Sequence, residues 1–405
     1  MTLVSASAAA VPEPRAVPAW MTMLLAAACG LIAANIYYAQ PLVGPISVAL
    51  GLSPHLAGLI VTMTQIGYGT GLLLIVPIGD LVETRRLVLS VMSVGGVALL
   101  GAALSTQPLA FLASALFIGL GSVSVQILVP YAAHLAPEGR RGQVVGNVMG
   151  GLMLGIMLAR PVSSAIAAVS SWHVVFFVAT GVMLVLALVI GRVLPERRPT
   201  SKLRYGELLA SMGRLAMTSR LLRRRALYQS CLFGAFSLFW TTSPLWLADV
   251  FHLSQVGIAL FALAGVAGVV SAPLAGRLAD RGWTRPATGL AMACVAAAFL
   301  VTHIMPAGSA WALALLVVAA ILLDFGVSAN VVLGQRALFA LGADSRSRLN
   351  GLYMAIFFTG GALGSALGGW AYAQGGWMLC SSVGIALPVL GLLYWATEPA
   401  GLLRR

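Results

Sequence analysis

Twelve long apolar runs, separated by short polar stretches, constrain this chain more than any other feature of its sequence. About 20 apolar residues in a helix cross a bilayer core of about 30 Å, and a helix satisfies its own backbone hydrogen bonds in lipid. A β-barrel would need short segments of alternating hydrophobicity instead. We predict an all-α polytopic membrane protein whose twelve transmembrane helices lie at about 20–41, 55–78, 87–105, 108–133, 143–167, 174–191, 226–248, 255–276, 286–305, 310–336, 349–372 and 377–396.

Composition agrees with this class of protein. The chain is 60% hydrophobic and 9% charged, whereas a soluble globular protein carries about 25% charged residues. The four cysteines lie in four separate apolar runs, so neither a disulfide nor a metal site is predicted. No signal peptide, nucleotide-binding loop or nucleophile–base cluster is recognisable. We therefore expect no cofactor, no drive by ATP and no enzyme.

The twelve runs form two related sets of six. Landmark residues recur at one spacing of 205 residues, in the pairs Gly121 and Gly326, Gly155 and Gly360, and Trp172 and Trp377. Repeats of this kind are typical of transporters whose halves rock around a site near the middle of the membrane. We predict a disordered cytoplasmic tail, a six-helix bundle, a basic cytoplasmic linker, a second six-helix bundle and a cytoplasmic tail, at 1–19, 20–191, 192–225, 226–396 and 397–405 respectively.

The basic residues indicate the orientation of the chain. Of its 24 Lys and Arg, 22 fall in tails, linker and loops on one side, and the loops predicted on the other side contain none. Lys and Arg mark cytoplasmic loops, so both termini and the central linker are predicted to be cytoplasmic. The net charge of +13 then reports topology and not nucleic-acid binding. Residues 205–222 of the linker are either an amphipathic helix on the anionic leaflet or a solvated tether.

Asp324 is the one acidic residue placed away from the end of a predicted span. It follows Ala310 by about 22 Å of helical rise, which is past the middle of the hydrocarbon layer. A carboxylate at this depth costs about 2.5–3.5 kcal/mol on insertion scales, so it indicates a functional site by default. The two interpretations are a role in proton coupling or substrate binding, and a hydrogen bond that joins two helices.

Two arginines also lie inside predicted spans. Arg160 either faces a central cavity, where it would attract an anion or stabilise the charged form of a nearby acid, or extends its charge outward toward the membrane surface. Arg336 lies near the cytoplasmic end of its span, and we expect it to pair locally with Asp344. The glycine stripe at 360–369 is predicted to allow close helix packing.

Two loops carry similar motifs. The loop after the eighth span reads Gly276-Arg-Leu-Ala-Asp-Arg-Gly282, and the loop after the second span reads Gly79-Asp-Leu-Val-Glu-Thr-Arg-Arg86. The first resembles the G-x-L-x-D-R-x-G-R-R loop of the major facilitator superfamily. The resemblance covers essentially the whole chain. Segments 35–42, 155–160 and 324–350 are similar to the bacterial branch that is grouped with the drug:proton antiporters, and this resemblance implies a location in the bacterial inner membrane.

This resemblance implies a fold of twelve helices in two pseudo-repeats and a cytoplasmic gate at the two loops. Acidic side chains there can face helix N-termini and arginines can pair across the seam in one conformation only. Glu83 takes the register of the motif aspartate and Asp80 is an additional acid, so either could form the latch. The implied gate residues are Gly79, Asp80, Glu83, Arg85, Arg86, Gly276, Asp280 and Arg281.

The resemblance further implies that the first, fourth, seventh and tenth spans line a substrate cavity. The candidate cavity residues are Asn35, Tyr37, Tyr38, Gln40, Gln126, Trp240, Thr241 and Asn330, and the candidate proton-coupling residues are Asp324 and Arg160. Each polar side chain could instead form a hydrogen bond between helices. The implied function is alternating-access transport by a monomer, most simply proton-coupled efflux of a small organic solute or drug. Proton-coupled uptake or export of a sugar or amino-acid-like metabolite is the alternative.

Overall fold

Every regular element in the described part of the chain is helical. The computed structural model describes residues 18–137, 140–199, 204–341 and 346–399. Four short 3-10 segments lie at Gln40–Leu42, Pro54–Leu56, Val76–Asp80 and Leu263–Val270. The α-helices are α1 Ala19–Ala34, α2 Val43–Ala49, α3 Leu59–Leu74, α4 Thr84–Leu104, α5 Pro108–Ser122, α6 Val125–Leu135, α7 Arg141–Val169, α8 Trp172–Val193, α9 Tyr205–Thr218, α10 Arg220–Asp249, α11 Gln255–Ala262, α12 Ser271–Asp280, α13 Thr284–Val301, α14 Ala310–Phe339 and α15 Arg346–Ala396.

These helices account for the predicted membrane crossings. Ten stretches of the described residues are each long and apolar enough to span a bilayer. The last stretch contributes two crossings, because the 51 residues of α15 bend back at Gly375 and Gly376, where the backbone leaves the helical region. The first crossing is α1, continued through Gln40–Leu42 and α2. The prediction of an all-α polytopic fold with twelve crossings is confirmed.

The helices pack mainly against others from the same half of the chain. In the first half α1 lies against α7, α3 against α5, and α4 against both α5 and α8; in the second half α15 wraps α10, and α13 lies against α14. One buried apolar cluster belongs to the first half, and a second is centred on α10 and extends into the first half. The halves meet where α3 contacts α15 and where α7 contacts α11.

Glycines set the closest helix contacts. A Cβ built on Gly155 of α7 would lie 2.2 Å from the backbone oxygen of Gly30 in α1. In the second half a Cβ on Gly364 would lie 2.0 Å from the backbone oxygen of Gly234. Contacts of this kind let two backbones approach without a side chain between them, which is the packing predicted for the glycine stripe in α15.

Substitution of Gly155 by alanine is expected to destabilise the protein by about 1–3 kcal/mol, because the added methyl group overpacks the contact between α1 and α7. Gly146 is a matched control in the same helix, since no described atom lies within 4 Å of a Cβ built there. Gly146→Ala should leave stability unchanged or raise it by up to about 1 kcal/mol through helix propensity. Thermal unfolding of both purified variants measures the difference, and equal melting temperatures would contradict the packing argument.

The linker forms a helix that packs against the bundle. Leu208 and Met212 of α9 are buried, and Tyr205 donates a hydrogen bond of 2.8 Å from its hydroxyl to the backbone oxygen of Leu74 in the first half. Arg348 of α15 donates to Ser211 Oγ at 2.8 Å. The apolar face of α9 therefore lies against both halves of the protein. We call the end of the bundle that carries α9 the linker end, and the opposite end the far end.

Candidate functional site

Asp324 lies in the interior, at the middle of α14, and its side chain is 6% exposed. The indole Nε1 of Trp240, which lies on α10, donates a hydrogen bond of 2.9 Å to Asp324 Oδ2. Both side chains belong to the second half of the chain. The carboxylate of Asp324 therefore faces protein and not lipid, as a functional acid in a membrane span must.

Arg160 reaches the same region from the first half. Its guanidinium lies over the ring of Trp240 at 4.3 Å, with Phe236 at 5.0 Å and Tyr37 at 5.3 Å. Its Nε donates a hydrogen bond of 2.7 Å to Gln40 Oε1. The arginine is 2% exposed, so it does not extend to the membrane surface. Aromatic faces stabilise a cation in this position, and the two halves of the chain share this contact.

The two buried charges do not touch each other. No ion pair of 4.0 Å or less joins Arg160 to Asp324, both of which are described. Trp240 contacts each of them, with Arg160 over its ring face and Asp324 at its nitrogen edge. Two opposite charges that both contact one side chain in a low dielectric attract each other strongly. Neither charged group, however, forms all the hydrogen bonds that it could. We call Arg160, Gln40, Tyr37, Trp240 and Asp324 the central cluster.

Irregular backbone surrounds the central cluster on two sides. In the first crossing, α1 ends at Ala34, and turns carry the chain past Tyr37 to Gln40–Leu42. In the eighth crossing, the 3-10 segment Leu263–Val270 lies against α14 and α7. Broken helices at membrane depth are tolerated where they are buried in protein or line a cavity, and in transporters they mark binding sites.

Two glycines of the 3-10 segment let it press on the central cluster. A Cβ on Gly265 would lie 3.1 Å from Trp240 Cζ2 and 3.4 Å from the nearer guanidinium nitrogen of Arg160. A Cβ on Gly268 would lie 3.0 Å from the Cβ of Asp324. The cluster is therefore closed in this conformation. These glycines are not among the residues predicted from the sequence, although two glycines three residues apart within an apolar span are a recognisable signal.

The other predicted cavity residues are buried or half-buried but lie outside the central cluster. Thr241 forms a hydrogen bond of 3.0 Å with Ser365 Oγ. Asn330 Nδ2 donates to Gln229 Oε1 at 2.8 Å, and Gln126 Nε2 donates to Tyr68 Oη at 2.9 Å. These are the helix–helix hydrogen bonds that the sequence left as an alternative. Asn35 is also buried, and Tyr38 packs against both large apolar clusters.

The two halves are joined closely at the far end. Ser365 Oγ donates to the backbone oxygen of Gly58 at 2.9 Å, and Thr62 Oγ1 donates to the backbone oxygen of Ala362 at 3.1 Å. On the other seam, Ser164 Oγ donates to the backbone and side-chain oxygens of Gln255, each at 2.9 Å. These contacts close the route from the far end to the central cluster.

The linker end is more open along α7. No described atom lies within 4 Å of a Cβ built on Gly142, Gly146 or Gly150, which follow one another along the first turns of α7. Within the described residues, α7 packs against α11 and the 3-10 segment of the eighth crossing but not extensively against α12. The seam between α7 and the second half is therefore closed at the far end and parted at the linker end.

The predicted gate residues of the first loop have distinct roles. Glu83 caps α4, where its carboxylate accepts hydrogen bonds of 2.8 Å from the backbone N–H groups of Arg85 and Arg86. Burial alone would raise the pKa of Glu83, but hydrogen bonds from the backbone of Arg86, Arg85 and Arg197 lower it. Asp80 has Arg197 and Arg348 as charged neighbours, so it is the acid that faces the second half. A Cβ built on Gly79 would make only ordinary contacts with Ile127 and Leu87, at 3.8 Å each.

The second loop pairs within its own half. Asp280 forms an ion pair with Arg336, which also donates to the backbone oxygen of Gly276 at 3.0 Å. Arg281 is exposed at the end of α12. The local partner of Arg336 is thus Asp280, while the expected partner Asp344 lies outside the described residues.

Comparison with known proteins gives matches along most of the chain. A family model described as the Major Facilitator Superfamily matches residues 23–323. The "Uncharacterized transporter YgaY" of Escherichia coli O157:H7 is 38% identical over 378 residues, which are 93% of this chain and 94% of that protein. The "Chloramphenicol efflux pump Rv0191" of Mycobacterium tuberculosis is 28% identical over 268 residues, 64% of this chain and 63% of the pump. The crystal structure of a mutant of the nucleoside transporter NupG has a similar fold, with a TM-score of 0.73 at 12% identity over 92% of this chain and 99% of that one.

Proposed function

The chain belongs to the major facilitator superfamily and is a membrane transporter, not an enzyme, and on that premise we propose that it exports a small organic solute in exchange for protons. The observation that carries the proposal is the central cluster, in which one acid and one arginine both contact Trp240 at the junction of the two halves. The bundles at 20–191 and 226–396 pivot about this junction, joined by the linker at 192–225. The linker end is cytoplasmic, and the membrane is the bacterial inner membrane.

The cycle follows from the chemistry of Asp324. In the state open to the cytoplasm, the ionised carboxylate and Arg160 hold the solute. After the bundles pivot, a proton from the periplasm neutralises Asp324, and the solute is released outward. Once Asp324 is neutral, its side chain no longer stabilises the outward-open state. The protein therefore returns to the state open to the cytoplasm, where Asp324 releases its proton. Each ligand shifts the equilibrium only as far as it binds one state better than the other.

Two observations support outward transport. The seam beside α7 is closed at the far end and parted at the linker end, which suits loading from the cytoplasm. A relative is named as a chloramphenicol efflux pump.

Inside-out vesicles that are acidified by respiration test the proposal. Addition of a transported solute, from a panel that includes chloramphenicol and metabolites, should release part of the proton gradient in vesicles that contain the protein and none in vesicles that lack it. A panel of efflux drugs and metabolites that never moves protons would refute the coupling.

Uptake by symport is the second candidate, and the position of Arg160 favours it for one class of solute. If the solute is an anion, its binding to Arg160 and protonation of Asp324 assist each other, because the neutral acid no longer repels the anion and the anion compensates the charge of Arg160. Proton and solute would then travel in the same direction. Counterflow in vesicles of known orientation distinguishes the candidates: symport predicts solute accumulation on the side to which protons flow, and antiport predicts the reverse.

The gate is proposed to act at the linker end. Asp80 and Arg348 face each other across the seam between the halves, and Arg348 also donates to Ser211 of α9. These contacts favour the conformation in which α3 and α15 approach at this end. Asp280 and Arg336 instead stabilise the end of the second bundle. Gly79, Glu83, Arg85, Arg86, Gly276 and Arg281 shape and orient the two loops.

Locking the far end is expected to stop transport. Ser164 Oγ lies 2.9 Å from the backbone oxygen of Gln255 across the seam, so the two backbones are close and cysteines introduced together at these positions should form a disulfide. The double variant Ser164→Cys/Gln255→Cys should lose transport on oxidation and regain it on reduction, because the far end can no longer open. Uptake into proteoliposomes measures this, with each single variant as control. Transport that continues in the oxidised double variant would contradict alternating access at this seam.

A further inference from the structure

We propose that the solute is a zwitterion, an amino-acid-like molecule whose carboxylate binds Arg160 and Gln40 and whose ammonium group binds Asp324. This inference rests on the proposed transport function and specifies its substrate class. Its basis is the set of hydrogen-bonding groups that the central cluster leaves unused, together with the positions of its two charges.

Two buried donors in the cluster have no acceptor. Arg160 Nη2 and Gln40 Nε2 are inaccessible and make no hydrogen bond with any described residue. The amide orientation of Gln40 follows from chemistry: Arg160 can only donate, so the amide oxygen must face its Nε, and the NH2 group must point elsewhere. Buried donors are rarely left unpaired without a reason. A carboxylate supplies two acceptor oxygens, which suits one guanidinium donor and one amide donor.

Asp324 supplies the complementary group. Oδ2 of Asp324 accepts a hydrogen bond from Trp240 Nε1, and this is the one hydrogen bond that the carboxylate accepts from the described residues. The side chain retains acceptor capacity, and an ammonium group carries three donors for it. Arg160 lies over the face of Trp240, and Asp324 lies at the edge of the same ring. The positive and negative charges are therefore about one indole apart. An ammonium group and a carboxylate on the same carbon atom, as in an α-amino acid, suit two charges so placed.

Charge also selects against the simpler solutes. A cation without an anionic group would be attracted by Asp324 but repelled by Arg160. An anion without an ammonium group would be attracted by Arg160 but repelled by Asp324. A zwitterion satisfies both charges. Its ammonium group and the transported proton then compete for one carboxylate, so protonation of Asp324 expels the solute and the two exchange. The rings of Tyr37, Phe236 and Trp240 around the guanidinium favour an apolar or aromatic substituent.

Binding requires room that the present conformation does not provide. Gly265 and Gly268 bring the 3-10 segment Leu263–Val270 against Trp240 and Asp324. This segment must withdraw to admit the solute and can close on it afterward. When the segment closes, the backbone of the two glycines lies directly against the solute. The space between this backbone and the central cluster therefore admits only small molecules.

Matched compounds test the class on the purified full-length protein in detergent. Three sets carry the same apolar and aromatic side chains: the free amino acids, their N-acetyl derivatives and their amides. Thermal stabilisation should appear with members of the free set, and affinity should fall roughly tenfold or more for the two derivatives, which each lose one charged contact. Equal or stronger stabilisation by either derivative set, or none by any free amino acid, would overturn the proposal.

Variants and proton movement separate this inference from the transport proposal. Gln40→Leu should weaken binding of the stabilising amino acid roughly tenfold, whereas Arg192→Gln, on an exposed residue at the end of α8, should not change it. Unaltered binding in Gln40→Leu contradicts the proposed carboxylate site. If a drug drives proton exchange and no free amino acid binds, the substrate class is wrong and transport stands. If an amino acid binds as predicted and moves no protons, the class stands and proton coupling is wrong.

Discussion

Replacement of Asp324 by asparagine is expected to abolish solute-driven proton movement while the protein remains folded. The amide oxygen of asparagine can still accept the hydrogen bond from Trp240 Nε1, which is 2.9 Å long in the native protein. Arg160 also keeps its hydrogen bond to Gln40 and its aromatic neighbours in this variant, so the guanidinium retains partners when the carboxylate charge is removed. Asparagine cannot exchange a proton at neutral pH, however, so the step that couples the proton gradient to the pivot is lost.

Proteoliposomes with an imposed pH gradient and an internal pH-sensitive dye measure this effect. The native protein should show proton flux on addition of solute, and Asp324→Asn should show only the flux of empty liposomes. Asp249→Asn is the matched control, because Asp249 lies at the exposed end of α10 and accepts a hydrogen bond of 2.8 Å from Tyr372 Oη that an amide can also accept. Native proton flux in Asp324→Asn would remove this acid from the mechanism.

The fold was predictable because its determinants act over about twenty consecutive residues. Hydrophobic length decides whether a segment crosses a membrane, and the spacing between Gly155 and Gly360 already revealed equivalent packing positions in the two halves. Asp324 stood out for a similar reason, since an acid within an apolar run is visible without knowledge of any neighbour.

Contacts between distant segments were not predictable in this way. The 3-10 segment Leu263–Val270 consists of the same apolar residues as its helical neighbours, and its path depends on how Gly265 and Gly268 meet side chains of other helices. The expectation that Arg336 pairs with a residue near it in sequence overlooked Asp280, 56 residues away. Polarity alone cannot decide whether Thr241 and Asn330 serve a solute or a neighbouring helix, so their place in the substrate cavity stays a prediction.

Glu398 shows the same difficulty most clearly. It follows the last apolar run, within the predicted cytoplasmic tail, and nothing in the local sequence indicates that its side chain is fully buried beside Arg225, at 0% and 1% exposure respectively. Its Oε1 lies 2.9 Å from Arg225 Nη2, and its Oε2 accepts a hydrogen bond of 3.0 Å from Tyr228 Oη. Arg225 Nη1 also donates to Thr288 Oγ1 at 2.8 Å. This network ties the last described turn of the chain to the start of α10 and to α13.

Removal of the Glu398 carboxylate is therefore expected to be the most destabilising single change considered. Glu398→Ala leaves Arg225 buried without a counter-charge, which costs about 3–5 kcal/mol. Asp280→Ala provides a matched control, because the pair of Asp280 with Arg336 is exposed, at 66% and 47%, and such pairs contribute about 0–1 kcal/mol. Thermal unfolding followed by tryptophan fluorescence compares the two variants.

A second substitution separates the cost of an unpaired charge from the loss of packing. If the unpaired guanidinium is the cause, the double variant Glu398→Leu/Arg225→Met should recover much of the stability that Glu398→Ala loses, since buried ion pairs are often replaceable by apolar side chains of similar volume. If packing at the end of the chain is the cause, the double variant should be no more stable than the single one. Equal melting temperatures for Glu398→Ala and Asp280→Ala would contradict both explanations and show that the buried pair contributes no more than an exposed one.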